Sequence, residues 1–193
     1  MQPHILVILG STRQGRKGEA VARWFMERTG RRSEATFELV DLRDWPLPFI
    51  DSPMPPASGQ YDPAALPWAE KVSTADGFVF VTPEYNHGYP AVLKNALDHI
   101  YHEWGNKPGA IVSYGSYAAG YRAAEQLRQV LVELGVAPIR RQVGIPAVWA
   151  AFDEQGRIRD GAQDRSADAL LDELLWWTAA LRAARDAGIA VAR

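Results

Sequence analysis

The chain has 193 residues, of which 47% are hydrophobic and 23% are charged, and its formal net charge is −2. These values are typical of a globular protein, and they argue against a disordered chain and against a generally basic nucleic-acid-binding protein. Because the chain has no cysteine, a disulfide framework, a thiolate zinc site and a thiol nucleophile are excluded. We expect one domain over residues 1–193 and a cytoplasmic location, since the sequence shows no signal peptide and no long apolar stretch.

Short apolar runs alternate with helical patterns along the chain. The run His4–Leu9 predicts a first strand, and the segment Gly18–Thr29 predicts a helix because its apolar side chains recur at one-face spacing. A second strand is predicted at Thr36–Asp41. Residues 44–63 contain six prolines. Their aromatic and aliphatic neighbours favour a loop packed on the domain surface over a solvated linker.

The rest of the chain continues this alternation. The segment at residues 77–82 contains a continuous apolar run, residues 78–81, which is typical of a central strand that is covered on both faces. Five strands separated by helices predict a parallel sheet with right-handed crossovers, in a three-layer α/β sandwich. The other predicted elements are helices at residues 64–74, 90–100, 118–134 and 164–185, a strand at 110–114 and a fifth strand within 138–145.

The loop after the first strand, residues 10–18, is the first candidate for binding a ligand, because open parallel sheets bind ligands beyond the carboxyl ends of their strands. Its hydroxyl groups, glycines and three cations run directly into a helix, which is the chemistry that a phosphate group requires. The loop lacks the Lys-Ser or Lys-Thr pair of a nucleoside-triphosphate loop, and Thr12 stands at the second glycine of the dinucleotide fingerprint. A single phosphate group is therefore favoured, with a solvated basic turn as the alternative.

Two further loops follow predicted strands. In the second loop, residues 83–90, Tyr85 and Tyr89 offer planar surfaces and Asn86 offers both a donor and an acceptor, a combination that suits a flat heteroaromatic ring. Simple packing is the alternative for Tyr89. The third loop, residues 113–120, supplies small residues and N–H groups before a helix. An ordinary strand-to-helix turn is its alternative interpretation.

The loops also carry a resemblance to a known family. The sequence PEYN at residues 83–86, followed by LKNALD at residues 93–98, resembles the Pro-Glu-Tyr-Asn segment and the following helix of the NADPH-dependent FMN reductase family. The sequence GSTR at residues 10–13 resembles that family's flavin-phosphate loop, and the similarity extends from about residue 5 to residue 143. The resemblance implies a flavodoxin-like three-layer sandwich whose five-stranded parallel sheet has the order 2-1-3-4-5, with FMN bound between the first and third strands.

The resemblance implies an enzyme that passes a hydride from NAD(P)H to bound FMN and then reduces a quinone, an azo compound, a metal oxyanion or a free flavin. Because the cofactor carries this chemistry, no catalytic side chain is predicted. No metal site is predicted either, because His99 and His102, three positions apart, have no Asp or Glu partner that completes a set of ligands. The implied cofactor is FMN, the co-substrate is NAD(P)H, and the partners are a small-molecule acceptor and further copies of the chain in a homodimer or homotetramer, without nucleic acid or membrane. The alternatives are a flavodoxin-type electron carrier and a flavin-free regulatory module. The predicted cofactor-binding residues are Ser11, Arg13, Arg16, Lys17, Gly18, Glu19, Pro83, Glu84, Tyr85, Asn86, Ser113, Tyr114, Gly115 and Ser116.

Overall fold

A computed structural model describes residues 2–189 and contains one five-stranded parallel sheet of the order β2-β1-β3-β4-β5. The strands are β1 (His4–Leu9), β2 (Thr36–Asp41), β3 (Gly77–Pro83), β4 (Lys107–Tyr114) and β5 (Val136–Ile145). The helices are α1 (Gly18–Thr29), α2 (Leu66–Ser73), α3 (Ala91–Asp98), α4 (Tyr121–Glu133) and α5 (Gly161–Asp186). The predicted fold class and strand order are confirmed. Within residues 2–189, no helix is long and apolar enough to cross a membrane.

The sheet separates two hydrophobic clusters. The central strand β3 is buried along its whole length, so it must be apolar on both faces. Phe78 and Phe80 point to the side covered by α2, α3 and α4, where the ring of Phe78 lies 5.0 Å from that of Trp104. Val79 and Val81 point to the other side, which α1 and α5 cover. Each of these fully buried side chains contributes about 1.5–3 kcal/mol relative to an exposed one.

The proline-rich segment at residues 44–63 is part of the domain, as its apolar composition predicts. The half-buried rings of Trp45 and Tyr61 pack against the cluster beneath α2 and α3. Two buried polar side chains of the α3 region bind the carbonyl of Pro48, since Asn95 Nδ2 and His99 Nε2 both donate to it at 2.7 Å. The segment is therefore anchored to α3 rather than extended into solvent.

The strand β4 begins three residues before its predicted start. Pro108 and Gly109 indicate a turn in the sequence, but the structure includes both in the pairing with β5. A register shift between Gly109 and Ile111 accommodates them. A Cβ on Gly109 would lie 2.7 Å from Val136 Cγ1, so the close approach of the two strands explains the glycine.

The strand β5 lies at one edge of the sheet and pairs only with β4. The carboxylate of Glu173, on α5, accepts hydrogen bonds from the backbone N–H groups of Arg140 and Arg141 at 3.0 and 3.2 Å. The same strand contains Pro138, which has no N–H group to offer. Side-chain contacts and proline thus reduce the number of free donors along this strand.

Candidate functional site

The first loop lies at the carboxyl end of β1 and leads directly into α1. The N–H group of Gly10 donates to the carbonyl of Val81 on β3 at 2.9 Å, which fixes the start of the loop. The buried hydroxyl of Ser11 lies 2.8 Å from the hydroxyl of Tyr85 in the second loop. Arg13 and Lys17 are exposed beside the amino terminus of α1. Two cations and unpaired helical N–H groups therefore stand together at this position.

The side chain of Arg16, which the sequence assigns to the cofactor, is engaged with the protein itself. Its guanidinium donates to the carbonyl of Ser11 and to both carboxylate oxygens of Asp41, and its Nε donates to Glu19 Oε1 at 3.1 Å. Burial opposes the charge, but the bonds and charges of Asp41 and Glu19 outweigh it and raise the pKa of Arg16. Arg16 thus ties the first loop to the end of β2.

Arg43 also holds the first loop in place, a role that no sequence motif indicates. This residue follows β2, and its Nη2 donates to the carbonyl of Arg13 at 2.7 Å while its Nε donates to that of Thr12 at 3.3 Å. Its Nη1 donates to Glu19 Oε1 at 2.7 Å. The backbone of the first loop is therefore held by arginine donors, which leaves its shape defined before any ligand binds.

The second loop forms a tight turn at the carboxyl end of β3. The backbone groups of Tyr85 and Gly88 exchange two hydrogen bonds of 2.8 and 3.0 Å, and the two residues between them have positive φ values of 48° for Asn86 and 70° for His87. Positive φ at both central residues defines a type I′ turn, which Asn tolerates better than most residues. The turn presents the side chain of Asn86 at an exposed tip.

Glu84, at the start of the second loop, is held by Arg122, a partner that no sequence motif indicates. Its carboxylate accepts from Arg122 Nε at 2.6 Å and from the Arg122 N–H group at 3.2 Å. Burial favours the neutral acid, but the bonds and charge of Arg122 prevail and lower the pKa of Glu84. The Glu84 N–H group also donates to the carbonyl of Tyr114 at 3.1 Å. These contacts join the second loop to the third.

The third loop turns sharply between β4 and α4. The buried hydroxyl of Ser113 donates to the carbonyl of Ala119 at 2.9 Å, so this side chain closes the loop on itself. Gly120 has a φ of 79°, and a Cβ there would lie 2.8 Å from the backbone nitrogen of Tyr114. Only glycine fits that approach. Ser116 remains exposed at the outer end of the loop.

Tyr114 carries an unsatisfied hydroxyl under the first loop. Its side chain is buried, and within residues 2–189 its hydroxyl is the one buried side-chain polar atom without a hydrogen-bond partner. A Cβ on Gly18 would lie 2.4 Å from that hydroxyl oxygen, which places the donor directly at the amino terminus of α1. Burial raises the pKa of Tyr114, with a smaller contribution from Tyr85, so the hydroxyl keeps its proton. A buried hydroxyl of this kind has a proton to donate to a group bound at the start of α1.

The structure brings the three predicted loops together, because Ser11 contacts Tyr85 and Glu84 contacts Tyr114. Since β1 and β4 are two places apart in the sheet, the loops span about 10 Å. Arg13, Lys17, Asn86 and Ser116 are exposed, Gly18 and Pro83 are buried in the elements that carry the loops, and Gly115 is half-buried. In contrast, the side chains of Arg16, Glu19, Glu84 and Ser113 are already bound to other groups of the protein.

Comparisons with known proteins agree on the family of this chain and on its fold. The sequence model of the NADPH-dependent FMN reductase family matches residues 3–150. The chain is 46% identical over 149 residues to an NAD(P)H-dependent FMN reductase of Schizosaccharomyces pombe, which covers 75% of this chain and 74% of that protein. It is 31% identical over 156 residues to a 2-hydroxy-1,4-benzoquinone reductase of a Burkholderia species, covering 78% and 79%. The flavoenzyme NAD(P)H:(acceptor) oxidoreductase of Paracoccus denitrificans shares the fold, with a TM-score of 0.74, 19% identity and coverage of 91% and 97%.

Proposed function

The chain belongs to the NADPH-dependent FMN reductase family, and from this premise we propose that its three loops hold FMN while it oxidises NAD(P)H. It is an FMN-dependent NAD(P)H oxidoreductase. When bound, FMN supplies the two-electron chemistry, taking a hydride from NAD(P)H and passing two electrons to an acceptor. We propose a quinone as that acceptor, in line with the activity named for the Burkholderia relative.

The first loop is the proposed site of the FMN phosphate, and the unsatisfied hydroxyl of Tyr114 is the observation that carries this assignment. The hydroxyl lies at the amino terminus of α1, beside Gly18, and the exposed cations Arg13 and Lys17 belong to the loop that leads into this helix. A phosphate held there would gain charge-assisted hydrogen bonds, each of which contributes about 1.5–3 kcal/mol. The amino terminus of α1 adds about 0.3–1 kcal/mol.

The second loop is the proposed site of the flavin ring. The Tyr85–Gly88 backbone pair and the ion pair of Glu84 with Arg122 fix the backbone of this loop, so the position from which Asn86 presents its amide is defined. An amide and the adjacent backbone groups can read the donor and acceptor pattern of a pyrimidine-like edge. Such fixed dipoles orient the ring without any acid or base from the protein.

Several predicted cofactor residues take a positioning role in this proposal. Arg16 and Glu19 hold the first loop, Glu84 holds the second and Ser113 holds the third, because each has a side-chain polar atom bound within the protein. Their substitution is expected to change FMN affinity through loop geometry. Direct contacts are proposed for Ser11, Arg13, Lys17, Gly18, Pro83, Tyr85, Asn86, Tyr114, Gly115 and Ser116.

Anaerobic titration tests the proposed function. The purified protein is loaded with FMN, and the visible flavin absorption is followed while NADH or NADPH is added. Flavin binding followed by bleaching supports the reductase. Binding without bleaching would favour a flavodoxin-type carrier, and the absence of binding would favour a flavin-free module. Riboflavin, which lacks the phosphate, serves as the control ligand and is expected to bind more weakly.

A cytoplasmic location and a homodimer or homotetramer complete the proposal. The assembly is supported by large exposed apolar side chains, since Phe49 is 80% and Leu66 is 53% exposed. Light scattering of the purified protein tests the assembly, with a monomer as the contradicting result. Fractionation of cells followed by detection of the chain tests the location.

A further inference from the structure

Two aromatic side chains stand side by side on the surface near the third loop. Tyr117, within that loop, is 87% exposed, and Trp149, which follows β5, is 57% exposed. Their ring centroids are 6.1 Å apart and the ring planes meet at 89°, an edge-to-face contact. Isolated exposed apolar residues are common, but two large rings in contact offer a surface on which a planar molecule can pack.

The backbone holds this aromatic pair in place. The carbonyls of Ser116 and Gly115 accept hydrogen bonds from the N–H groups of Ala147 and Val148, both at 3.1 Å. The Gly115 N–H group in turn donates to the carbonyl of Ile145 at 3.2 Å. Ala147 has a φ of 43°, a conformation that costs free energy in a residue with a Cβ. The third loop and the segment after β5 therefore form one unit that carries both rings.

The surroundings of the pair favour an uncharged ligand. Residues 116–120 and 146–151, which carry the rings, contain no lysine, arginine, aspartate or glutamate. Arg159 and Asp160 line the neighbouring pocket together with Ala147 and Ala150, and their charges are opposite. The diphosphate of NAD(P)H requires cations or clustered N–H donors, whereas a neutral planar ring requires only apolar and aromatic surface. The pair also lies at the carboxyl ends of β4 and β5, on the same edge of the sheet as the proposed flavin loops.

We propose that Tyr117 and Trp149 bind the planar ring of a neutral quinone acceptor at the edge of the flavin site. This inference rests on the proposed function. The overall reaction is NAD(P)H plus H⁺ plus quinone giving NAD(P)⁺ plus hydroquinone, in which the quinone gains two electrons and two hydrogens. The aromatic pair takes no part in bond making. It holds the quinone beside the flavin, so its loss should raise the KM for the quinone more than it lowers kcat.

The test compares two acceptors in the FMN-loaded protein. Steady-state rates are measured with 1,4-naphthoquinone and with ferricyanide, which has no ring, for the wild type, Tyr117→Ala, Trp149→Ala and Trp149→Phe. Trp176→Ala is the matched control, because Trp176 is an equally exposed tryptophan on α5. Reduction of bound flavin by NAD(P)H is measured anaerobically in the same variants, and light scattering records their assembly.

Each alanine variant is expected to raise the KM for naphthoquinone about fivefold to tenfold, which corresponds to the loss of one aromatic contact. Rates with ferricyanide and the rate of flavin reduction should stay within about twofold of the wild type, and Trp149→Phe should recover most of the loss. Equal losses with both acceptors, an unchanged KM for naphthoquinone, slower flavin reduction or an altered assembly would each overturn the role of the pair. If NAD(P)H does not reduce the bound flavin of the wild type, the proposed function itself fails.

Discussion

Replacing Tyr114 by phenylalanine should change the stability of the free protein and its FMN affinity in opposite directions. The substitution removes the hydroxyl and keeps the ring, which packs between the sheet and the helices α1 and α5. Because that hydroxyl is buried without a partner, the flavin-free protein should gain about 1 kcal/mol of unfolding free energy when it is removed. For a chain of this length, the gain corresponds to a rise of about 2–4 °C in Tm.

The expected loss of FMN affinity has the same origin, the hydroxyl of Tyr114. If the hydroxyl donates to the phosphate, its loss removes one hydrogen bond to a charged group, worth about 1.5–3 kcal/mol, and weakens FMN binding about tenfold to 150-fold. Riboflavin affinity should not change, because riboflavin has no phosphate. Since burial raises the pKa of Tyr114, the hydroxyl remains a donor across the neutral range and the effect should be independent of pH there.

Calorimetric titration measures the affinities for FMN and for riboflavin. Thermal unfolding of the flavin-free protein measures the Tm. A stabilised variant that binds FMN as tightly as the wild type would remove Tyr114 from the phosphate site. A variant with lower stability in the absence of flavin would show that the hydroxyl has a partner in solution.

Three other substitutions test separate contacts. Arg13→Ala should weaken FMN binding by about 1.5–3 kcal/mol without loss of stability, whereas Arg31→Ala, which removes another exposed arginine, should have no effect in the same titration. Arg16→Met should lower the unfolding free energy in urea by about 2–3 kcal/mol, less than for a fully buried pair because Asp41 is 24% exposed; a loss of FMN affinity alone would contradict its positioning role. Burial lowers the pKa of Lys107 from 10.5 to about 8, with a smaller contribution from Arg185. The folded protein therefore binds fewer protons than the unfolded chain between these values, and its stability should rise with pH across that interval. Lys107→Met should flatten this rise in urea titrations, and an unchanged slope would contradict the lowered pKa of Lys107.

The positions of the three loops could be predicted because local sequence determines them. An apolar strand, a glycine-rich turn and an amphipathic helix are each encoded within a few residues, and the sheet order follows from the family resemblance. The residues that hold the loops were not predictable in the same way. Arg43 and Arg122 meet their partners across 24 to 38 positions of sequence, and no short motif records such a pairing.

Residue type alone also could not assign the roles of side chains within the loops. Arg16 and Arg13 are both cations in a phosphate-binding pattern, but Arg16 is buried against Asp41 while Arg13 is exposed. The difference depends on the carboxylate at the end of β2, which becomes a neighbour only after the sheet forms. Likewise, the start of β4 depends on the register with β5, which allows Pro108 inside a strand.

The contact of Glu173 with the backbone of β5 has a consequence for how copies of the chain associate. Two N–H groups of the strand are already bound by that carboxylate, so an incoming extended peptide would find few donors with which to pair. Growth of a continuous intermolecular sheet from β5 is therefore disfavoured, and the protein should resist forming fibrils through this edge strand. Assembly through helices and loops remains open to it, as the proposed homodimer or homotetramer requires.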